Sequence, residues 1–187
     1  DDHWCQKKLV RQMALLQQNP AYRICHTGEK WLRRGRHLNQ KKIHQPRQGD
    51  IFEHCLQICG VGMSTVLMHT KLFVESGGFD TALPCCEDYD LWLRISSRNH
   101  FLLAKEALIV KEGGRPDQLS VMYRRGRAKH RISAIEKLLA NNILNTCQRR
   151  QAIDELKKKC SIYGRGCIKH GHSAKGAHYL ALPEKYK

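Results

Sequence analysis

The sequence predicts an α/β fold, and three observations support that prediction. A chain of 187 residues can form one domain with a hydrophobic core but not two large ones, which favours a single α/β or α+β unit. Hydrophobic residues make up 41% and charged residues 27%, as is typical of a folded chain rather than a disordered one. Segments with the apolar spacing of helices are interspersed with short β-type segments, which places both kinds of element in one domain.

The first element is predicted to be an amphipathic helix from Trp4 to Gln18, because apolar residues recur there at helical spacing until Asn19-Pro20. Asp2 is expected to cap its start. The next elements predicted are a strand over 21–26, a basic hairpin over 31–38, a polar loop over 39–49 and a short helix over 51–56 capped by Asp50.

The middle of the chain is predicted to alternate between β-structure and short helices. A buried strand is expected over 61–69, and one helical turn over 71–75 is closed by Gly77-Gly78. An exposed loop then leads to a strongly apolar helix that starts near Tyr89, and strands follow over 101–110.

Two packed helices are predicted beyond Arg127, because Ile132, Ile135 and Leu138 share one helical face and Ile153 and Leu156 share another. The tail from Gly164 is basic and rich in glycine, and its apolar residues show little periodicity. We expect this tail to be weakly ordered.

The cysteines, the lengths of the apolar runs and the N-terminal sequence disfavour several classes of protein. Nine cysteines are an odd number, without a repeated spacing or a CxxC pair, so reduced thiols are favoured over a disulfide framework or a structural zinc site. No apolar run approaches the roughly 20 residues that span a bilayer, and the start is unlike a signal peptide. The chain begins with Asp and enters a helical pattern at once, from which we expect a fragment.

The net charge of +16 is unevenly distributed. Residues 1–60 carry +6, residues 61–110 carry −2 and residues 111–187 carry +12. An acidic centre between basic segments suits a site in which carboxylates act in chemistry or bind metal while lysine and arginine bind phosphate. For most individual basic residues, a solvated surface position is the better interpretation.

Two acidic pairs are candidates for chemistry, Asp1-Asp2 and Glu87-Asp88, and each precedes a predicted helix. A helix N-terminus favours an ionised carboxylate, which can bind a hard cation or accept a proton. Capping alone is the commoner role for an isolated Asp in this position.

The residues around Glu87-Asp88 carry a family resemblance. Segment 74–94 reads VESGGFDTALPCCEDYDLWLR and closely resembles the family 2 glycosyltransferases, in which a GGFD loop precedes an ED-Y/W-D-LWLR segment. The start, DDHWCQKKL, resembles the downstream end of the same family's D-x-D-D metal motif, which precedes a W-x-x-K-L helix. The two motifs occur in the family's order.

The resemblance implies that residues 1–122 form the later half of a GT-A catalytic domain, which is Rossmann-like. Residues 123–187 would form a basic helical extension and tail. The family's upstream strands, which hold the nucleotide base, are absent from this sequence, so we expect impaired activity of the chain in isolation.

The implied activity is an inverting transfer of a sugar from a nucleotide-sugar donor to an acceptor hydroxyl, with Mg²⁺ or Mn²⁺ on the diphosphate. Asp88 matches the family's base, and Glu87 would orient the acceptor or Asp88 itself. Asp1 matches the final aspartate of the metal motif, with Asp2 beside it as a supporting or alternative ligand. The acceptor would be a glycan, a lipid-linked molecule or a small molecule.

Three further residues are assigned by position. Trp92 and Arg94 lie within the predicted helix, which favours a core role for Trp92 and an acidic partner for Arg94 over sugar or phosphate binding. Arg115 lies in a segment that resembles the family's flexible loop over the diphosphate. It could bind phosphate there but could not ligate a metal.

The basic C-terminal segment leaves a rival interpretation open, a module without catalysis that binds nucleic acid or an anionic membrane surface. The absence of interleaved aromatic residues disfavours nucleic acid. Membrane binding would also suit an enzyme with a lipid-linked acceptor. We expect a cytoplasmic location, either free or peripheral to the inner face of the membrane.

Overall fold

The computed structural model describes residues 2–115, 117–123 and 126–186, and it confirms the predicted α/β class with a mixed five-stranded sheet and helices. The strands are β1 (His3–Trp4), β2 (Ile24–Arg33), β3 (Arg36–His37), β4 (Leu67–Met68) and β5 (Leu102–Gly113). The helices are α1 (Lys8–Gln18), α2 (Phe52–Gln57), α3 (Thr70–Glu75), α4 (Glu87–Ser96), α5 (Leu119–Met122), α6 (Arg127–Ala140), α7 (Thr146–Lys169) and α8 (Ser173–Ala181).

The sheet is built on the parallel pair β2 and β5, and its order is β1-β5-β2-β3, with β4 also paired to β2. β1, β3 and β4 pair antiparallel to their neighbours. The start of β1 therefore lies at the same edge as the carboxyl ends of β2 and β5. In α/β sheets ligands bind outside this edge, so it is where a site is expected.

The first helix starts later than predicted. It begins at Lys8 rather than Trp4, because Trp4 lies in β1 and the Cys5 N–H donates to the Leu108 carbonyl at 3.0 Å. The expectation that Asp2 caps this helix is wrong. Its Oδ2 instead accepts a hydrogen bond from the Ser64 hydroxyl.

The strand predicted over 61–69 is also wrong in most of its length. Only Leu67–Met68 is a strand, and Met63–Thr65 forms a turn of 3₁₀-helix. The Thr65 hydroxyl donates to the Gly62 carbonyl at 2.6 Å, a local bond that competes with strand pairing. This turn brings Ser64 to Asp2.

The hairpin and the helix stop are confirmed. β2 and β3 are joined by Arg34 and Gly35, whose φ angles of 52° and 72° form the two-residue turn that favours hairpins. α3 ends before Gly77 and Gly78, both with positive φ. Asp50 accepts a hydrogen bond from the Phe52 N–H at the start of α2, as predicted.

One hydrophobic core joins the α/β part to the C-terminal helices. It includes Phe52 of α2, Trp92 of α4, Ile135 of α6 and Leu156 of α7, all at most 1% exposed. The boundary predicted between residues 122 and 123 stays a prediction, but helices on both of its sides share this core.

The tail predicted to be weakly ordered is helical. α7 continues through Gly164 to Lys169, and α8 and a 3₁₀ turn over Leu182–Tyr186 follow. Gly164 and Gly176 lie where α7 and α8 cross, and a Cβ on Gly176 would stand 2.7 Å from the Gly164 carbonyl oxygen. The glycines therefore allow close helix packing. Because glycine adds no apolar side chain, this packed face did not appear as an apolar periodicity in the sequence.

None of the helices in the described ranges combines the length and the apolar content needed to cross a bilayer.

Candidate functional site

Asp88 lies in the first turn of α4 with both carboxylate oxygens hydrogen-bonded. Oδ1 accepts from the Tyr89 N–H at 2.6 Å, and Oδ2 accepts from the Cys59 thiol at 3.1 Å. The side chain is half-buried, as is that of Glu87. The predicted position of this acidic pair at a helix N-terminus is confirmed. These bonds hold the carboxylate in one orientation.

The start of α4 is fixed by contacts on both sides of Asp88. Cys86 precedes the helix with φ of 65°, a left-handed conformation that is uncommon outside glycine. The Tyr89 hydroxyl donates to the Leu56 carbonyl at 2.6 Å, which ties α4 to α2. The orientation of Asp88 is therefore set by packed elements on either side.

Cys59 is the partner of Asp88 that comes from outside α4. Burial raises the pKa of its thiol well above the ordinary value, and the negative charge of Asp88 raises it further. The thiol therefore stays protonated at neutral pH and acts as a hydrogen-bond donor to the carboxylate.

One short segment, 59–64, links the two acidic positions, and we call it the bridging segment. Cys59 at its start contacts Asp88, and Ser64 at its end contacts Asp2. Cys59 and Ser64 are five residues apart, so their Cα atoms lie at most about 18 Å from each other, and one short stretch of chain contacts both carboxylates.

Asp2 lies at the carboxyl edge of the parallel strands. His3 pairs with Val110, so the antiparallel register brings Asp2 beside Lys111 near the end of β5. The Lys111 ammonium lies 3.8 Å from Glu29 Oε1 on β2. A methyl group on Gly62 of the bridging segment would overlap the same Glu29 carboxylate. Asp2 and Glu29 thus both lie against the bridging segment, and Lys111 lies beside Glu29.

Arg131 of α6 brings a cation to the same neighbourhood. Its guanidinium lies 5.2 Å from the centre of the Tyr89 ring. Its positive charge also lowers the pKa of Cys59, although burial outweighs it. Its buried Nε makes no hydrogen bond to the described residues. The C-terminal helices therefore contribute a charged group beside Tyr89, the residue that follows Asp88.

The described residues contain no group of three or more His, Cys, Asp or Glu side chains that could hold a metal ion. Asp1, the first predicted ligand, lies outside the described residues. Asp2 supplies one carboxylate, of which Oδ2 is bonded to Ser64. Mg²⁺ is often bound by one or two carboxylates plus substrate phosphates, and a carboxylate at this edge fits that pattern.

The three residues assigned by position have different surroundings in the structure. Trp92 is 1% exposed and belongs to the core, as predicted. Arg94 pairs with Asp90 at 2.6 Å and donates to the Ser76 and Gly78 carbonyls, which fastens the glycine loop to α4. Arg115 contacts Asp117 at 3.1 Å in the segment after β5, near the carboxyl edge.

Sequence reasoning missed Cys59, Ser64, Glu29 and Arg131. Three of them lie in segments without periodicity or on a strand, where nothing in the sequence indicates which distant residue they contact. Arg131 is one of many basic residues in its segment, and no spacing distinguishes it. Their roles follow from tertiary contacts alone.

No protein-family model matches this chain, and no curated protein matches it either.

Proposed function

We propose that this chain is part of a metal-dependent glycosyltransferase that moves a sugar, with inversion, from a nucleotide-sugar to an acceptor hydroxyl. The observation that carries the proposal is the arrangement of Asp88. Its carboxylate is half-buried at the start of α4, oriented by two donors and linked by the bridging segment to Asp2 at the carboxyl edge of the sheet.

Asp88 is the proposed general base. As the acceptor oxygen attacks the anomeric carbon, its proton passes to a carboxylate oxygen of Asp88 while the bond from that carbon to the diphosphate breaks. The donors from Tyr89 and Cys59 hold the carboxylate in one orientation. Glu87, one residue earlier, is proposed to orient the acceptor.

A mixed sheet with a parallel central pair suits a GT-A domain, and the carboxyl edge is where such a sheet would bind its donor. Asp2 and the neighbouring Asp1 are the proposed ligands of Mg²⁺ or Mn²⁺, and Arg115 is proposed to contact the diphosphate. When bound, the cation would neutralise charge on the departing diphosphate.

The test is product formation. The chain, and any longer product of the same reading frame, is incubated with Mn²⁺, a panel of UDP-, GDP- and dTDP-sugars and mixed glycan and lipid acceptors. Glycosylated products are detected by mass spectrometry. We expect transfer from one donor class, loss of transfer with EDTA, and a higher Mn²⁺ requirement for Asp2→Asn.

Donor turnover that survives EDTA would contradict the metal assignment. The absence of transfer from every donor in every form of the protein would contradict the proposed activity.

A further inference from the structure

A polar groove opens between β2, β5 and the loop that follows β3. Its volume is about 420 Å³, which lies in the range of small-molecule sites. Trp31 and Glu29 of β2 form part of its wall, and His37, Asn39 and Gln45 contribute from the loop side. Neither Asp88 nor Asp2 lines it.

The wall of the groove combines one large aromatic ring with several planar polar groups. Trp31 is half-buried, and its indole N–H donates to Glu29 Oε2 at 2.5 Å, which fixes the ring. Gln40 donates to the Glu29 carbonyl at 2.9 Å and so attaches the loop to the strand. The aromatic wall is therefore preorganised rather than freely rotating.

Several polar side chains of the groove remain available to a ligand. Those of His37, Asn39 and Gln45 make no hydrogen bond to the described part of the chain. Amide side chains both donate and accept, so they pair with hydroxyl groups, which do the same. The negative face of an aromatic ring attracts the weakly positive C–H groups of a sugar ring.

The charge of the groove argues against an anionic ligand. Glu29 and Lys105 are its two formally charged lining residues at neutral pH, and they are opposite in sign. In a protein of net charge +16, this is a neutral patch. A phosphate or diphosphate would find little net attraction there.

We propose that this groove binds a neutral pyranose ring, stacked on Trp31 and hydrogen-bonded by Asn39 and Gln45. Glu29 connects the groove to the bridging segment, because its carboxylate packs against Gly62. The groove therefore adjoins the segment that holds Asp2 and Asp88. That the bound sugar belongs to the acceptor rests on the proposed function, whereas the binding itself does not.

The test follows the three tryptophan indole signals of the ¹⁵N-labelled chain by NMR during titration with methyl glycosides of glucose, galactose, mannose and N-acetylglucosamine. We expect a saturable shift of the Trp31 signal with at least one glycoside, in the millimolar range typical of a single ring. Trp92 is buried in the core and does not line the groove, so its signal serves as an internal control.

Two variants sharpen the result. Asn39→Ala combined with Gln45→Ala removes exposed loop side chains and is expected to weaken binding about threefold to tenfold, as loss of hydrogen bonds predicts. Lys157→Ala, on α7 and outside the lining of the groove, is expected to leave affinity unchanged.

Glycerol and sodium pyrophosphate are titrated in parallel. The inference is overturned if no glycoside saturates the Trp31 signal, if glycerol produces the same shift, or if pyrophosphate binds there more tightly than any glycoside. Glycoside binding without any sugar transfer would support the groove and count against the enzyme. Transfer activity without glycoside binding in the groove would support the proposed glycosyltransferase activity and contradict the proposed sugar site.

Discussion

The α/β part of the molecule, residues 2–113, and its C-terminal helices, residues 126–186, are built in different ways. In the first part, β1 and β4 have two residues each, and β2 has a bulge around Gly28. In the second, α7 runs for 24 residues from a complete capping box. Irregular backbone concentrates at functional sites, so this difference agrees with a site in the first part.

The two parts nevertheless depend on each other for stability. Tyr89 of α4 lies beneath Arg131 of α6 and Lys159 of α7, and the main core crosses between them. We therefore expect substitutions of the acidic groups to change chemistry with little change in stability. Substitutions where α7 and α8 cross should change stability with little change in chemistry.

The largest effect is expected for Asp88→Asn. Asn keeps the shape and a hydrogen-bond acceptor for the Tyr89 N–H but cannot take a proton, so turnover should fall by about 10²- to 10⁴-fold with little change in donor affinity. Turnover and donor Kd are measured in the form of the protein that shows transfer, alongside its melting temperature.

Glu87→Gln is the matched control, because it changes the neighbouring half-buried acid and should affect turnover less. If folded Asp88→Asn keeps near-normal turnover and Glu87→Gln loses most of it, Glu87 rather than Asp88 is the general base.

Elements with strong periodicity could be predicted from the sequence, and those set by tertiary contacts could not. The apolar run from Tyr89 to Ile95 predicted α4, and the spacing of Ile132, Ile135 and Leu138 predicted α6, because each helix buries one face. The strand predicted over 61–69 failed because local bonds of Thr65 outweighed the apolar alternation of that segment.

The candidate site could be predicted only in part. Glu87 and Asp88 were found because they stand at a helix start, which sequence pattern indicates. Cys59 and Ser64 contact acids that are 29 and 62 residues away along the chain, and no local pattern encodes such pairs.

Arg94→Ala should lower stability by about 3 kcal/mol, because it leaves the buried Asp90 carboxylate without its cation. For a chain of this size that corresponds to a fall in Tm of about 6–12 °C. Lys157→Ala is the control, since its pair with Asp154 is exposed and should contribute under about 0.5 kcal/mol. Equal losses in the two variants would show that the buried pair adds nothing beyond a surface one.

Acid should destabilise the protein through His54. Its ring is 1% exposed, and burial, aided by the positive charges of Arg47, His26 and His44, lowers its pKa from 6.5 to about 4. The unfolded chain takes up this proton first, so stability is full above pH 6.5 and falls as the pH drops toward 4. The loss is up to about 3 kcal/mol.

Urea unfolding at several pH values checks this. His54→Leu should flatten the slope between the two pKa values, while the exposed His100→Gln should leave it unchanged. An identical slope in His54→Leu and in the unsubstituted chain would assign the acid loss to other groups.

The smallest and most directional effect is expected from two glycines of α7 that differ only in what lies beside them. A Cβ on Gly164 would stand 2.9 Å from the Gly176 carbonyl oxygen, whereas a Cβ on Gly166 would meet nothing within 4 Å. Gly166→Ala should therefore stabilise by about 0.5–1 kcal/mol through helix propensity. Gly164→Ala should destabilise by about 1–2 kcal/mol, because α7 and α8 must separate to admit the methyl group. Thermal unfolding measures both, and since neither glycine has a role in the proposed mechanism, transfer activity below the melting transition should be unchanged. A gain in stability for Gly164→Ala would mean that the two helices do not pack at this crossing, and the contrast between the two parts of the molecule would lose its structural basis.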